Sequence, residues 1–95
     1  MPNKRYDAGR RFEYRVKKHL ETEGWWCLRS AGSHSPADII AIRSGEILLV
    51  QAKTDGKIGD GELAQLKALE EWTGGKAMLA SRDGRKLKIE EVKDE

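Results

Sequence analysis

The chain has a single cysteine, Cys27, among its 95 residues, so no internal disulfide can close and no second thiolate exists for a zinc pair. A reducing, cytoplasmic compartment is the expectation. No apolar run approaches the roughly 18 residues of a membrane span, and the basic opening MPNKRYDAGRRF has no apolar signal core behind it. Neither a membrane partner nor secretion is expected. Proline occurs only twice, and no repeat, linker or low-complexity block divides the chain. A chain this short buries only a little over ~60% of the surface exposed by unfolding, so one core, residues 1–95 as a single domain, is the expectation.

Charge is plentiful but unevenly placed. The formal net charge is +2, yet residues 1–43 carry nine Lys/Arg against five Asp/Glu and residues 44–95 nine against eleven. The excess lies near the start, where Lys4, Arg5, Arg10, Arg11, Arg15, Lys17 and Lys18 face only Asp7 and Glu13. A concentrated basic element suits a polyanion, because each neutralised phosphate releases condensed counterion. A solvated helix face would have the same composition.

Residues 5–23 read as a helix, with Ala8, Phe12, Val16 and Leu20 recurring every four positions and Gly24 as its C-cap. Residues 25–29, 37–43 and 46–53 read as strands, the last two joined by the hairpin signal Ser44-Gly45. Asp60 offers an N-cap for a second helix running to about residue 73, with Leu63, Leu66 and Leu69 at helical spacing. Residues 76–82 and 86–92 read as two more strands around an Asp83-Gly84 turn. The order αβββαββ describes an α/β protein with a mixed sheet flanked by helices.

The Ser44-Gly45 turn sets a register. If Arg43 faces Glu46, counting outward brings Asp38 opposite Gln51 on one face, at Cβ separations of about 4.5–5.5 Å. Lys53, two residues on, shares that face. A carboxylate, an amide oxygen and an ammonium then converge at one end of a sheet. Mg2+ wants oxygen ligands, typically one or two carboxylates with water and phosphate oxygens. Asp38 and Gln51 can each supply one, and the backbone carbonyl of Ala52 lies at the same edge. Lys53 could orient a water or offset charge gathering on a phosphate, which is chemistry suited to phosphodiester hydrolysis.

Pro36-Ala37-Asp38 followed by Gln51-Ala52-Lys53 resembles the paired motif of the PD-(D/E)XK nucleases, and more closely that of the archaeal-type Holliday junction resolvases. Four further features match that branch. Gly9 precedes Glu13 by four residues, and Glu13 precedes Gly24 by eleven; Arg29-Ser30-Ala31-Gly32-Ser33 resembles its strand end and serine loop. Asp38 and Gln51 stand thirteen residues apart, and Gln65 falls on the second helix. The likeness runs from residue 4 to about 82.

That resemblance implies a restriction-endonuclease-like fold and a Mg2+-dependent homodimer, with Mn2+ as substitute, that resolves four-way DNA junctions. It implies that Asp38 binds metal, Glu13 contacts metal or its waters, Lys53 positions the nucleophilic water and Ser33 assists from the loop. Lys4, Arg5, Arg10, Arg11, Arg29, His34 and Lys57 are the candidate DNA contacts. Taken alone, Glu13 reads as an acid neutralising Arg10 or Lys17 at helical spacing. Two departures from the family pattern are visible. The resolvases usually carry Glu where Gln51 stands, and they continue for several tens of residues beyond position 95. Another endonuclease of this fold, or a non-catalytic nucleic-acid-binding module that has lost a metal ligand at Gln51, are the rival readings. Of the three tryptophans, alternation makes one of Trp25 and Trp26 core and leaves the other for an interface.

Overall fold

The computed structural model describes residues 4–30 and 35–92, with the backbone alone for 4–7. Its elements are α1 (Lys4–Thr22), β1 (Trp26–Arg29), β2 (Ile39–Arg43), β3 (Glu46–Ala52), α2 (Asp60–Thr73), β4 (Lys76–Asp83) and β5 (Lys86–Glu91). This is the αβββαββ order expected from the sequence. The five strands form one sheet in the order β1-β2-β3-β4-β5. All neighbours are antiparallel except β3 and β4, which run parallel because α2 returns the chain across the sheet between them.

Each helix covers one sheet face. Phe12, Val16 and Leu20 form the buried stripe of α1, packing on Cys27, Ile39, Ala41, Val50 and Ala80. Ala8, which shares their period, is exposed, so the stripe begins one turn later than its spacing suggests. On the other face Leu66 of α2 is fully buried against Leu49 and Ala77. Strand alternation sorts the residues between the two cores: Val50 points to α1 and Leu49 to α2.

The turns fix how strands meet. Ser44 and Gly45 have φ of 48° and 82°, the paired positive values of a type I′ hairpin, and Arg43 faces Glu46 as the turn demands. The second hairpin is displaced by one residue from the expected Asp83-Gly84: Asp83 pairs with Lys86, leaving Gly84 (φ 62°) and Arg85 as the loop. The start of α2 also differs by one. Gly59 is the N-cap and Asp60 opens the helix, because the Glu62 carboxylate reaches back to accept from the Gly59 N–H at 3.2 Å. Behind α2, Glu70 Oε2 accepts from the buried Ala77 N–H at 2.7 Å, tying the end of the helix to the start of β4. Gly75 in that connection sits against Ile47, where an added Cβ would lie 2.9 Å from the Ile47 carbonyl oxygen.

Candidate active site

β2 and β3 are paired from Arg43–Glu46 through Ile39–Val50. Continuing that register by one step sets Asp38 against Gln51. The ladder stops there because Asp38 turns its side chain into it: the Asp38 N–H donates to the Val50 carbonyl at 2.9 Å, while Oδ2 accepts from the Ala52 N–H at 2.9 Å. The carboxylate is thus held by backbone beside the end of β3. On its other side the Asp38 carbonyl accepts from Ser30 N–H at 2.8 Å, linking the site to the end of β1.

Gln51 is buried, with 7% of its surface exposed, the sole polar residue among the buried described residues. Its Nε2 donates to Glu62 Oε2 at 3.2 Å, and its Oε1 is buried without a hydrogen-bond partner. An orphaned amide oxygen in a native interior is an acceptor open to a water or a cation. Lys53 Nζ lies 2.8 Å from the same Glu62 oxygen, so one carboxylate of α2 gathers the amide and the ammonium. The geometry brings together Asp38, Gln51 and Lys53, three of the five residues selected from sequence, and adds Glu62. The only sequence signal for Glu62 was its place three residues after the N-cap, where an acid is ordinary helix chemistry.

Glu13 reaches this end of the sheet from α1. It pairs with Arg29 at the end of β1, with Nη1 2.7 Å from Oε1, while Lys17 pairs with Glu21. The Arg29 guanidinium also stacks over the Tyr14 ring at 4.5 Å. Arg29 is therefore engaged with both Glu13 and Tyr14 of α1 at this end of the sheet. Burial pushes the Glu13 and Asp38 carboxyls up from their ordinary values. For Glu13 the hydrogen bond from Arg29 works against that rise, and the neighbouring Asp38 charge adds to it. For Asp38 the Ala52 N–H and the Lys53 charge oppose it. Glu62 behaves oppositely: its hydrogen bond from Lys53 holds its carboxyl below the usual range. Two partly desolvated acids and an orphaned amide oxygen form a donor set that a hard cation would satisfy. No group of three or more His, Cys, Asp or Glu among the described residues converges closely enough to hold a metal ion.

Arg10, Arg11 and Lys57 are exposed, Arg10 and Arg11 on α1 and Lys57 in the segment before α2. Gln65 is exposed on α2 and takes no part in the cluster. Ser33 and His34 lie outside the described residues, as do the side chains of Lys4 and Arg5.

A family model described as archaeal Holliday junction resolvase (Hjc) matches residues 4–94. A curated protein of Methanocaldococcus jannaschii, named crossover junction endodeoxyribonuclease Hjc, is 40% identical over 80 residues. That match takes in 80% of this chain and 59% of the relative, so the chain spans less than two thirds of that protein's length. Among solved structures, Archaeoglobus fulgidus Hjc, titled a Holliday junction resolvase from an archaeal hyperthermophile, superposes with a TM-score of 0.77 at 25% identity. The superposition covers 87% of this chain and 76% of that one.

Proposed function

Because this chain belongs to the archaeal Holliday junction resolvase (Hjc) family, we propose that it is an endodeoxyribonuclease that cuts four-way DNA junctions by metal-dependent phosphodiester hydrolysis. The observation that carries this reading is the gathering at the end of β3 of Asp38, held on the Ala52 N–H, with Gln51 and Lys53, both held on one Glu62 oxygen, while Gln51 Oε1 stays buried and unpartnered. Asp38 and Gln51 would hold Mg2+, or Mn2+ in its place, with the Ala52 carbonyl at the same edge. A bound cation supplies a polarised phosphate oxygen and an acidified water. The protein's own groups do the remainder. Lys53 donates to the attacking water or to the phosphate as charge develops there. Glu13, held in place by Arg29, accepts from water on the α1 side. The exposed Arg10, Arg11 and Lys57 offer sequence-independent backbone contacts, so choice of substrate rests on DNA shape rather than base edges.

The working unit in this reading is a homodimer, since a four-way junction has two-fold symmetry and a C2 pair presents equivalent sites to opposing strands. An apolar strip supports it. α2 packs over β3 and β4, and on the same face of β1 and β2 Trp26, Leu28 and Ile42 are exposed. Trp26 lies directly across from Ile42.

The reading is tested by incubating the chain and its Gln51→Glu variant with junction, fork and linear duplex in Mg2+ or Mn2+. Cleavage selective for the junction, abolished by Asp38→Asn while junction binding persists, is the expected result. Undiminished cleavage by Asp38→Asn would refute the site. A second reading follows from the neutral amide at position 51: a module that binds branched DNA without cutting it. Absence of cleavage by both forms with either metal would establish that alternative.

A further inference from the structure

Glu62 lies outside the PD-(D/E)XK-like motif, yet its carboxylate is the hub of the cluster. Oε1 accepts from Gly59 N–H at 3.2 Å, and Oε2 accepts from Gln51 Nε2 at 3.2 Å and from Lys53 Nζ at 2.8 Å. A carboxylate can only accept hydrogen bonds, so it admits one orientation of the Gln51 amide, NH2 toward Glu62. The amide oxygen is thereby forced to the other side, where it is buried and has no partner. Were the amide reversed, two oxygens would face each other at hydrogen-bond distance. The orphaned Oε1 is thus a direct consequence of Glu62.

We propose that Glu62 is a positioning residue for the cation: it locks the Gln51 amide with Oε1 as the ligand atom and restores, from α2, the negative charge that a glutamate at position 51 would have carried. This deepens the reading of Asp38 and Gln51 as a cation site and rests on it. A ligating amide is neutral and a weaker donor than a carboxylate. A hydrogen bond from its NH2 to an anion polarises it, drawing electron density onto the oxygen and raising its basicity, as partners behind first ligands do at metal sites generally. The local charge then matches an acidic strand pair: Asp38 and Glu62 negative, Lys53 positive. The same Oε2 also fixes the Lys53 ammonium, so the ligand and the water-orienting cation share one anchor.

The test measures Mn2+ binding to the whole chain without DNA, by loss of the free-ion electron paramagnetic resonance signal. Cation-free melting curves are recorded beside it. Glu62→Ala is expected to weaken Mn2+ binding by about 10–100-fold. Adding Gln51→Glu to Glu62→Ala is expected to recover it to within a few fold of the parent, because a carboxylate at 51 brings its own charge and needs no partner to orient it. A purely structural Glu62 would lower the melting temperature without this rescue. Binding by Glu62→Ala as tight as the parent's overturns the proposal. So does weakened binding that the double variant fails to recover, which would make Glu62 a direct ligand. Failure of the underlying site reading looks different: Asp38→Asn and Gln51→Ala would then bind Mn2+ as the parent does, or the parent would bind none.

Discussion

Replacing Asp38 separates what the site costs the fold from what it gives the chemistry. The Asp38 carboxylate accepts one backbone hydrogen bond, from Ala52 N–H at 2.9 Å, and lies partly desolvated at the end of the hairpin. Its folded pKa is raised, so the stability it contributes is fully present only below the ordinary carboxylate value and is lost as pH rises through the folded one. At neutral pH and without a cation the buried charge is a net cost. Asp38→Asn keeps an oxygen for the Ala52 N–H. It exchanges a charge-assisted bond, about 1.5–3 kcal/mol, for a neutral one of about 0.5–1.5 kcal/mol, and it removes the charge desolvation that opposes this loss. The two effects nearly cancel, leaving Asp38→Asn within about 1 kcal/mol of the parent. Asp38→Ala instead leaves the Ala52 N–H without an acceptor, at about 1–3 kcal/mol. Since about 1 kcal/mol shifts the melting temperature of a domain this size by roughly 4–8 °C, the two variants should differ by roughly 10 °C. Urea and thermal melts at pH 7 in EDTA measure this directly. Equal destabilisation by Asn and Ala would refute the reasoning, because it would mean that the hydrogen bond to Ala52 carries no weight in the fold.

Two further outcomes follow from features away from that carboxylate. Glu70→Ala, which strands the Ala77 N–H, is expected to cost about 1–3 kcal/mol in urea melts, and Glu70→Gln less, because its amide oxygen can still accept. The Ala77 N–H, with help from Lys67, holds the Glu70 carboxyl below its ordinary value. That stability is present above the ordinary carboxylate pKa and fades as pH falls through the depressed one, so the gap between the parent and Glu70→Gln should close over that acid window. If the parent is the homodimer proposed above, Trp26→Arg, placing a charge on the exposed strip of β1, should yield a monomer by light scattering with little change in secondary structure. A parent chain that is monomeric at the concentrations used for cleavage would remove the basis for that strip as an interface.

The parts of the fold that were legible in the sequence are those governed by local rules. Ser44-Gly45 can form only a few turns, the favoured one dictates that Arg43 faces Glu46, and that register brings Asp38 to Gln51 without any knowledge of the rest of the chain. Alternation likewise assigned one tryptophan to the core: Trp25 is buried and Trp26 is 62% exposed. What could not be read depended on packing between elements distant in sequence. Glu13 and Arg29 are sixteen residues apart and meet only because α1 lies across β1, a contact that helical spacing cannot show. Glu62 looked like a first-turn acid until α2 docked on the sheet and brought its far oxygen to Gln51 and Lys53. The displacement of the α2 cap from Asp60 to Gly59 has the same origin, since Glu62 rather than Asp60 supplies the capping oxygen.

The parallel pairing of β3 and β4 divides the assembly of the site in time. Asp38, Gln51 and Lys53 sit on a two-residue hairpin, which closes on the microsecond scale with little loop entropy to overcome. Glu62 belongs to the crossover and reaches its partners only once Leu66 is buried and the chain has come back to lay β4 beside β3. Such non-local closures are the slow steps of folding. Until that closure Gln51 is free to turn its amide either way; afterwards only one orientation survives. The crossover helix therefore determines which atom of the hairpin's amide is left without a partner.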